Sequence, residues 1–311
     1  MKIIVQMDPI ESLNIKGDTT FALLIEAQNR GHTIDYYTPD LLTLNGDSLY
    51  AEAFNINITD TPEESISCSN QRIVQLEEYD VVLMRQDPPF DMSYITATYL
   101  LEHIRDKVLI INDPIFVRNC PEKIFVNKYK QFMPPTIITR NRDEIFKFRE
   151  IHNQIIIKPL YGNGGAGVFY ADSKDKNFPS IVEHFIENYK EQFIVQKFIQ
   201  NIRDGDKRII LVNGKAIGAI NRLPQKGEIR SNMHVGGIPF KTEITDKDKE
   251  ICDTISSDLI KNGLFFVGID VIDNYLTEIN VTSPTGIREI LKLSKIDVAS
   301  IFWDEVENKI N

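Results

Sequence analysis

Short apolar runs and longer amphipathic segments alternate along the first 120 residues. The runs KIIVQM, TIDYY, DVVLMR and VLIIN have the length and composition of strands. The segment DTTFALLIEAQNRG has the spacing of a helix, with Asp18 as its N-cap and Gly31 just past its end. A second helix is predicted from about Asp91 to His103. Strands that alternate with helices predict a parallel sheet in this part of the chain.

After residue 120 the pattern changes to strands that are joined by hairpins. A helix is predicted for NRDEIFKFREIH, and QIIIKPLYGNGGAGVFYA has the form strand, glycine loop, strand. Asn213-Gly214 is a strong hairpin signal, and DKDKEICDTISSDLIKNG predicts an amphipathic helix that ends at Gly263. The chain is therefore predicted to be an α/β protein, with a parallel-sheet domain over residues 1–120 and a hairpin-rich α+β part after it whose lobes pack closely.

Three polar residues interrupt the apolar strands of FFVGIDVIDNYLTEIN near the C-terminus. Glu278 and Asn280 are two residues apart, so in a strand they point to the same face, and Asp270 lies on the partner strand. Carboxylate and carboxamide oxygens are ligands that suit Mg²⁺. The alternative is the solvent-facing side of an edge hairpin, but FFVGIDVI is apolar on both faces, which indicates burial. Since a buried carboxylate needs a partner, a metal site is the better interpretation.

The three polar residues share a face only if the hairpin has a suitable register. With Asp273-Asn274 as a two-residue loop and regular pairing, Asp270 would lie opposite Thr277 and would point away from Glu278. A three-residue loop that includes Tyr275 sets Asp270 opposite Glu278 instead. The pair Asp-Asn lacks the glycine that is favoured in two-residue loops. We therefore predict a loop of odd length or an equivalent bulge.

The stretch GNGGAG, from Gly162 to Gly167, follows a strand that contains Lys158. Its letters fit GxGxxG, but a dinucleotide-binding fingerprint needs a helix afterwards, and VFYA is strand-like. A P-loop has Lys after its last glycine, where this chain has Val168. In a protein kinase the lysine follows the glycine loop, whereas Lys158 precedes it here. Backbone N–H groups in a glycine loop can wrap phosphate oxygens. A mobile surface turn is the alternative, and the preceding lysine favours phosphate binding.

The composition restricts the class of partner and the compartment. The chain of 311 residues has a formal net charge of −10, which argues against nucleic acid, since a duplex requires a basic face. No stretch has transmembrane length, and the N-terminus lacks the apolar core of a signal peptide. Cys68, Cys120 and Cys252 are far apart, as expected of reduced thiols in the cytoplasm. The five histidines show no zinc-binding spacing.

Four arginines and one loop are further candidates. A single arginine is most often a solvated surface residue, but Arg222 ends a strand and Arg288 closely follows the metal-site strand. Arg208 and Arg230 are the other two. The segment LPQKGEIRSNMHVGG, residues 223–237, is long and unpatterned, as active-site lids often are. A disordered insertion is the alternative for this loop.

A lysine before a glycine loop, an apolar hinge strand and a D…E-x-N hairpin together resemble the ATP-grasp superfamily. Longer segments are similar to the family of prokaryotic glutathione synthetases, and DPPFD and EINVTSPT are typical of that family in particular. The similar segments are MDPI (7–10), NIKGD (14–18), LMRQDPPFD (83–91), IIIKPLYGNGGAGVF (155–169), DGDKR (204–208) and TEINVTSPTGIRE (277–289).

The resemblance implies a pre-ATP-grasp parallel-sheet domain, residues 1–120, followed by an ATP-grasp domain in two lobes. The first lobe, residues 121–199, carries the glycine loop, and the second, residues 200–311, carries the metal-site hairpin and the lid loop 223–237. It implies a ligase that uses ATP and Mg²⁺ or Mn²⁺ to join glycine to the cysteinyl carboxylate of γ-glutamylcysteine. It also implies a homo-oligomer, a tetramer in this family, that acts in the cytoplasm without nucleic acid or membrane.

The resemblance further implies a role for individual residues. Catalysis at the transferred phosphate is implied for Arg208 and Arg222. ATP binding is implied for Lys123, Lys158, Gly162, Gly164, Gly165, Lys197, Phe198, Ile199 and Asp206. Substrate binding is implied for Arg85, Arg230, Asn232, Ser283 and Arg288. Metal binding is implied for Asp270, Glu278 and Asn280.

Two other functions stay open at this point. One is another ATP-grasp ligase, for instance an enzyme that adds glutamate to a peptide terminus. The other is a protein that binds nucleotide without catalysis. The combination of Lys158, Arg222, Glu278 and Asn280 favours catalysis, since a protein that only binds nucleotide need not keep groups for an acyl phosphate.

Overall fold

The computed structural model describes residues 1–13, 17–58, 66–162 and 164–310, and only the backbone of His234. The first three residues of the segment NIKGD and Asn163 of the glycine loop lie outside the described residues. Within the described ranges the strands form three sheets of seven, four and five strands. In the same ranges, no helix combines the length and the apolar character that crossing a membrane requires. The arrangement confirms the α/β fold class.

The first sheet has a parallel centre and an antiparallel edge. Its order is β3-β4-β2-β1-β6-β7, and β5 pairs with β4. Only β2, β1, β6 and β7 are parallel, so the predicted parallel sheet is right for these strands and wrong for β3, β4 and β5, which the sequence pattern missed. The strands are Lys2–Gln6 (β1), Thr33–Tyr37 (β2), Leu42–Asn45 (β3), Ser48–Ile58 (β4), Ile66–Gln75 (β5), Val81–Met84 (β6) and Leu109–Ile111 (β7).

The first two helices of this unit begin where the sequence predicts them, and a short third helix was not predicted. They are Thr19–Asn29 (α1), Met92–Glu102 (α2) and Pro114–Asn119 (α3). The side chain of Asp18 accepts a hydrogen bond from the backbone N–H of Phe21 at 2.7 Å, and Asp91 caps α2 in the same way. Gly31 has φ +81°, the left-handed conformation that ends a helix. Local capping chemistry therefore sets these boundaries.

The second sheet carries the glycine loop. It has four antiparallel strands in the order β10-β9-β11-β8. The elements are Glu122–Phe125 (α4), Thr136–Thr139 (β8), Arg142–His152 (α5), Gln154–Pro159 (β9), Phe169–Asp172 (β10), Phe178–Asn188 (α6) and Phe193–Lys197 (β11). The glycine loop joins β9 to β10, as the strand–loop–strand pattern predicts.

The third sheet is antiparallel, with the order β14-β13-β12-β15-β16. Asn213 and Gly214 both have positive φ, as a two-residue hairpin turn between β12 and β13 requires. The elements are Asp206–Val212 (β12), Lys215–Leu223 (β13), Ile238–Lys241 (β14), Asp246–Lys261 (α7), Phe266–Ile272 (β15), Tyr275–Asn280 (β16), Ile287–Ser294 (α8) and Val298–Ile310 (α9). Short 3-10 helices lie at Ile10–Ser12, Pro39–Leu41, Leu76–Glu78, Val126–Phe132, Gln200–Asp204 and Met233–Val235.

The first and third sheets share one hydrophobic core, whereas the second sheet has its own. Ile3 of β1, Ile210 of β12 and Phe302 of α9 belong to the same buried cluster. Trp303 is fully buried there, and its indole N–H donates to the backbone carbonyl of Leu23 at 2.7 Å. The second sheet packs against α5 and α6 around a separate cluster. The domain boundaries at residues 120 and 199 stay a prediction, although each sheet lies within one predicted unit.

Candidate active site

A cavity of about 440 Å³ lies between the second and third sheets. It brings together every residue that the resemblance singles out except Arg85 and Arg288. The predicted residues that line it are Lys123, Lys158, Gly162, Gly164, Gly165, Lys197, Phe198, Ile199, Asp206, Arg208, Arg222, Arg230, Asn232, Asp270, Glu278, Asn280 and Ser283.

A row of charged residues crosses three neighbouring strands of the third sheet. Arg208 of β12 lies opposite Asp270 of β15, and Asp270 lies opposite Glu278 of β16. Arg208 binds Asp270 with two hydrogen bonds, from Nε to Oδ1 at 2.5 Å and from Nη2 to Oδ2 at 3.0 Å. Such a two-pronged arginine–carboxylate pair holds both side chains in a defined orientation.

The hairpin between β15 and β16 reaches this register through a bulge. The loop consists of Asp273 and Asn274, both with positive φ, and Ile272 pairs with Tyr275. The predicted three-residue loop is therefore wrong, and the predicted alternative of an equivalent bulge is confirmed. Thr277 is the extra residue, and its hydroxyl donates to the backbone carbonyl of Asp270 at 3.1 Å.

A second ion pair joins the neighbouring strands β12 and β13 of the same sheet. Asp206 of β12 pairs with Arg222 of β13, and the Arg222 Nη2 lies 2.6 Å from Asp206 Oδ2 and 2.9 Å from Asp270 Oδ1. Burial raises the pKa of Asp206 to about 6, and Arg222 opposes this shift. Burial would also raise the pKa of Asp270, but Arg208 and Arg222 hold it below its usual range.

Two lysines compensate Glu278 on the other side of the row. Lys158 Nζ lies 3.2 Å and Lys123 Nζ 3.6 Å from Glu278 Oε1. Burial would raise the pKa of Glu278, but these two ammonium groups lower it below its usual value. Lys123 also donates to the carbonyl of Gly162 at 2.6 Å and pairs with Glu122. The lysines thus link the carboxylate row to the glycine loop.

The donor set of Asp270, Glu278 and Asn280 fits a divalent cation. The carboxylates of Asp270 and Glu278 belong to residues that pair directly across β15 and β16. The carboxamide of Asn280 lies two residues after Glu278 in β16. Two arginines and two lysines form ion pairs with the two opposed carboxylates. Among the described residues no group of three His, Cys, Asp or Glu side chains forms a metal site by itself. Mg²⁺ usually binds one or two carboxylates and completes its coordination with water and substrate phosphates.

The glycine loop and the segment 223–237 face each other across the cavity. Gly164, Gly165 and Gly167 have positive φ, so their backbone conformations favour glycine. Arg230 Nη1 donates to the carbonyl of Gly165 at 3.3 Å. A Cβ atom on Gly165 would lie 3.3 Å from Arg230 Cδ, so the two segments are in close contact.

The same segment also contacts the ion pairs at the base of the cavity. Ser231 Oγ donates to Asp206 Oδ2 at 2.8 Å, and Arg222 Nη1 donates to Asn232 Oδ1 at 3.3 Å. Segment 223–237 thus joins the glycine loop to the ion pair of Asp206 and Arg222, which is the position that a lid requires. The described part of this segment includes a short 3-10 helix at Met233–Val235, and its contacts with the site favour a lid over an insertion without a role.

The hinge that the resemblance implies, residues 197–199 at the end of β11, lies along another wall of the cavity. The backbone N–H of Lys197 donates to the carbonyl of Pro135, and that of Phe198 donates to the carbonyl of Gln154, both at 2.9 Å. Because these two N–H groups are already bonded, a base at the hinge would bind the backbone carbonyl groups of the hinge or the N–H of Ile199. The side chain of Lys197 is exposed.

Arg85 and Arg288 lie outside the cavity lining. Arg85 is buried behind it, where its Nη2 donates to the carbonyl of Pro284 at 3.2 Å and its backbone carbonyl accepts from Ser283 at 3.4 Å. Arg288 lies in the first turn of α8, with its guanidinium 5.3 Å from the ring centre of Phe21. A direct contact between either arginine and a molecule in the cavity therefore stays a prediction.

The lining also contains residues that the sequence did not predict, and two of them contact the charged groups of the site. Glu122 lines the cavity beside Lys123, and Ser231 holds Asp206 from the lid. Burial raises the pKa of Glu122, and the neighbouring Glu278 contributes to the increase. The sequence signal for Glu122 is its position directly before Lys123, whereas Ser231 has no signal of its own in the loop.

Comparison with protein families gives two matches that together cover most of the chain. Residues 1–118 match the N-terminal domain of prokaryotic glutathione synthetase, and residues 122–295 match its ATP-grasp domain. Among solved structures, a D-cycloserine synthetase is similar in fold, with a TM-score of 0.70 at 13% identity over 99% of this chain and 100% of that chain.

Curated relatives extend over almost the whole length. The glutathione synthetase of Bradyrhizobium diazoefficiens is 51% identical over 309 residues, which cover 99% of this chain and 98% of the relative. That of Mesorhizobium japonicum is 50% identical over 309 residues, which cover 99% of both chains. With both family models matched in order and with relatives at this level of identity, the chain belongs to the prokaryotic glutathione synthetase family.

Proposed function

We propose that the chain joins the amine of glycine to the cysteinyl carboxylate of γ-glutamylcysteine, with ATP converted to ADP and phosphate. The proposal rests on the row of charged residues in the cavity. Arg208, Asp270 and Glu278 lie side by side there on three neighbouring strands. Two lysines continue this row to the glycine loop. Cations for phosphates and oxygen ligands for a metal are thus available within the same cavity.

The first step is phosphorylation of the dipeptide. A carboxylate is a poor electrophile, so one of its oxygens attacks the γ-phosphorus of ATP and ADP leaves. Lys123, Lys158 and the backbone of the glycine loop bind the phosphates, while Arg208 and Arg222 face the phosphoryl group in transfer. Positive groups that are already oriented stabilise the charge that develops in this step.

The second step is the attack of glycine on the acyl phosphate. The amine nitrogen bonds to the carbonyl carbon, phosphate leaves with the bridging oxygen, and the nitrogen loses a proton. Water would compete at this stage, since an acyl phosphate hydrolyses readily. Arg230, Ser231 and Asn232 connect the lid to the glycine loop and to the ion pair of Asp206 and Arg222. These contacts support a role of the lid in excluding water.

Enzymes of this family use ATP with a divalent metal, and we propose Mg²⁺ or Mn²⁺ held by Asp270, Glu278 and Asn280. The metal would neutralise phosphate charge when it is bound. For this, Arg208 and Arg222 would exchange contacts with Asp270 for contacts with phosphate oxygens. We further propose the cytoplasm as the compartment, which the three free thiols support. A homotetramer stays a prediction that rests on the family resemblance.

Release of phosphate and formation of tripeptide test the proposal together. We expect phosphate from ATP and Mg²⁺ only when γ-glutamylcysteine is present, and glutathione only when glycine is also present. A Glu278→Gln preparation measures any contaminating ATPase. Phosphate release at a rate that does not depend on the dipeptide would assign the chain to a different reaction. A strong preference for adding glutamate to a peptide terminus would do the same. Nucleotide binding without any turnover would make it a binding protein.

A further inference from the structure

A small apolar recess opens from the active-site cavity. It has a volume of about 20 Å³, and its walls include Pro88, Phe90, Leu160 and Tyr161. Pro88 and Gly162 line both the recess and the main cavity, so the two spaces adjoin. None of the roles considered above makes use of this space.

The walls of the recess come from two different units of the fold. Phe90 follows β6 in the first unit, and Tyr161 stands at the start of the glycine loop in the second. Their rings stack with centroids 6.1 Å apart and planes 21° apart. Phe90 also packs against the buried ring of Tyr94, with ring centroids 5.3 Å apart, and Leu160 is buried. Buried side chains therefore support the recess on both units of the fold.

The polarity and size of the recess restrict what it can hold. Glu122 is the charged member of its lining, and the carboxylate of Glu122 is engaged by Lys123. A volume of about 20 Å³ admits roughly one group of the size of a water molecule. A thiol or a methyl group meets this limit and suits apolar walls, since a thiol behaves as a small apolar group. A ring or a branched side chain does not fit.

The position of the recess matches one part of the proposed dipeptide. The carbon that carries the cysteinyl side chain is bonded directly to the carboxylate that is phosphorylated. A pocket for that side chain must therefore adjoin the phosphate-binding groups, and Gly162 and Glu122, the partner of Lys123, line both spaces. We propose that this recess binds the cysteinyl side chain of the dipeptide and limits its size. The inference rests on the proposed function.

A series of γ-glutamyl dipeptides tests the inference. Their C-terminal residues are alanine, cysteine, 2-aminobutyrate, norvaline and leucine, and kcat/KM is measured at saturating ATP and glycine. We expect the kcat/KM values for cysteine and 2-aminobutyrate to differ by less than about tenfold and that for leucine to be roughly 100-fold lower, the range typical of an apolar pocket. In Phe90→Ala the leucine-to-cysteine ratio should rise at least about tenfold, with the KM for ATP unchanged.

Matched variants separate enlargement of the recess from general damage. Phe54→Ala removes another half-buried ring of the first unit, which packs on Tyr36 at 5.5 Å and does not line the recess. Its leucine-to-cysteine ratio should stay at the wild-type value. If Phe90→Ala does not fold, Tyr161→Ala enlarges the recess at a residue that is 41% exposed, and Tyr161→Phe keeps the ring.

The outcomes distinguish the inference from the proposed function. A wild-type protein that ligates no γ-glutamyl dipeptide contradicts the proposed function, and the inference fails with it. Normal ligation with a leucine-to-cysteine ratio that neither Phe90→Ala nor Tyr161→Ala changes contradicts the inference alone. If these variants instead raise the KM for ATP strongly and leave the leucine-to-cysteine ratio unchanged, the recess serves the nucleotide. That outcome would also overturn the inference.

Discussion

Asp270 lies directly opposite Glu278, although only two residues connect their strands. Regular pairing from such a loop would have set Asp270 opposite Thr277 and the two carboxylates on opposite faces. Thr277 is accommodated as a bulge, and this restores the common face. The bulge is therefore the local feature that makes a shared metal site possible.

Loss of the Asp270 charge should destabilise the fold more than loss of the Glu278 charge. Asp270 is 4% exposed and compensates both Arg208 and Arg222, so Asp270→Asn leaves buried guanidinium charge without its partner. We expect a cost of about 3–5 kcal/mol in the free energy of unfolding. The side chain of Glu278 is 22% exposed, so Glu278→Gln should cost less. Urea unfolding measures both, and equal stabilities would contradict a structural role of the Asp270 ion pairs.

Metal affinity should depend on Glu278. With ADP present, Glu278→Gln should raise the Kd for Mn²⁺ at least about tenfold, which corresponds to roughly 1.4 kcal/mol. Glu243→Gln removes an exposed carboxylate outside the cavity lining and serves as the control. Titration calorimetry gives both values. A chelator should abolish phosphate release in the wild type, and added Mg²⁺ should restore it. Unchanged Mn²⁺ binding in Glu278→Gln would move the metal to other residues.

Removal of the lid cation should uncouple the two half-reactions. Arg230 is the residue that joins the lid to the carbonyl of Gly165, so Arg230→Ala should let water reach the acyl phosphate. The ratio of tripeptide to phosphate should fall, while the Kd for ATP changes little. Lys226→Ala alters an exposed cation of the same lid and should leave the ratio unchanged. An unaltered ratio together with an unaltered rate in Arg230→Ala would count against a lid.

The acid side of the pH–rate profile should report Asp206. Burial raises its pKa to about 6, so its carboxylate is charged above that pH and neutral below it. The neutral form loses the ionic contact with Arg222, and kcat/KM should therefore fall as the pH decreases through about 6. In Asp206→Asn the activity should be low and nearly independent of pH between about 5 and 7. If the variant keeps the wild-type acid limb, another group titrates there.

Local chemistry in the sequence was sufficient for most elements. Asp18, Asp91 and Gly31 terminate helices through contacts with their own neighbours, so the boundaries could be predicted from a few residues. The strands β3 to β5 escaped prediction because they lack the alternation with helices that identified the parallel strands. Their place is set by pairing at the edge of the sheet, which is a contact between distant segments.

For the site, the sequence by itself determined which residue types are present and that Glu278 and Asn280 share a face. Their spacing of two residues on one strand is a local property that the sequence shows directly. The family resemblance added the roles that are expected of the site residues. The tertiary structure decided the neighbours: it set Arg208 against Asp270, kept Arg85 and Arg288 out of the cavity lining, and added Ser231. The physical reason is that strand register and loop packing depend on all three sheets together, and no single segment encodes them.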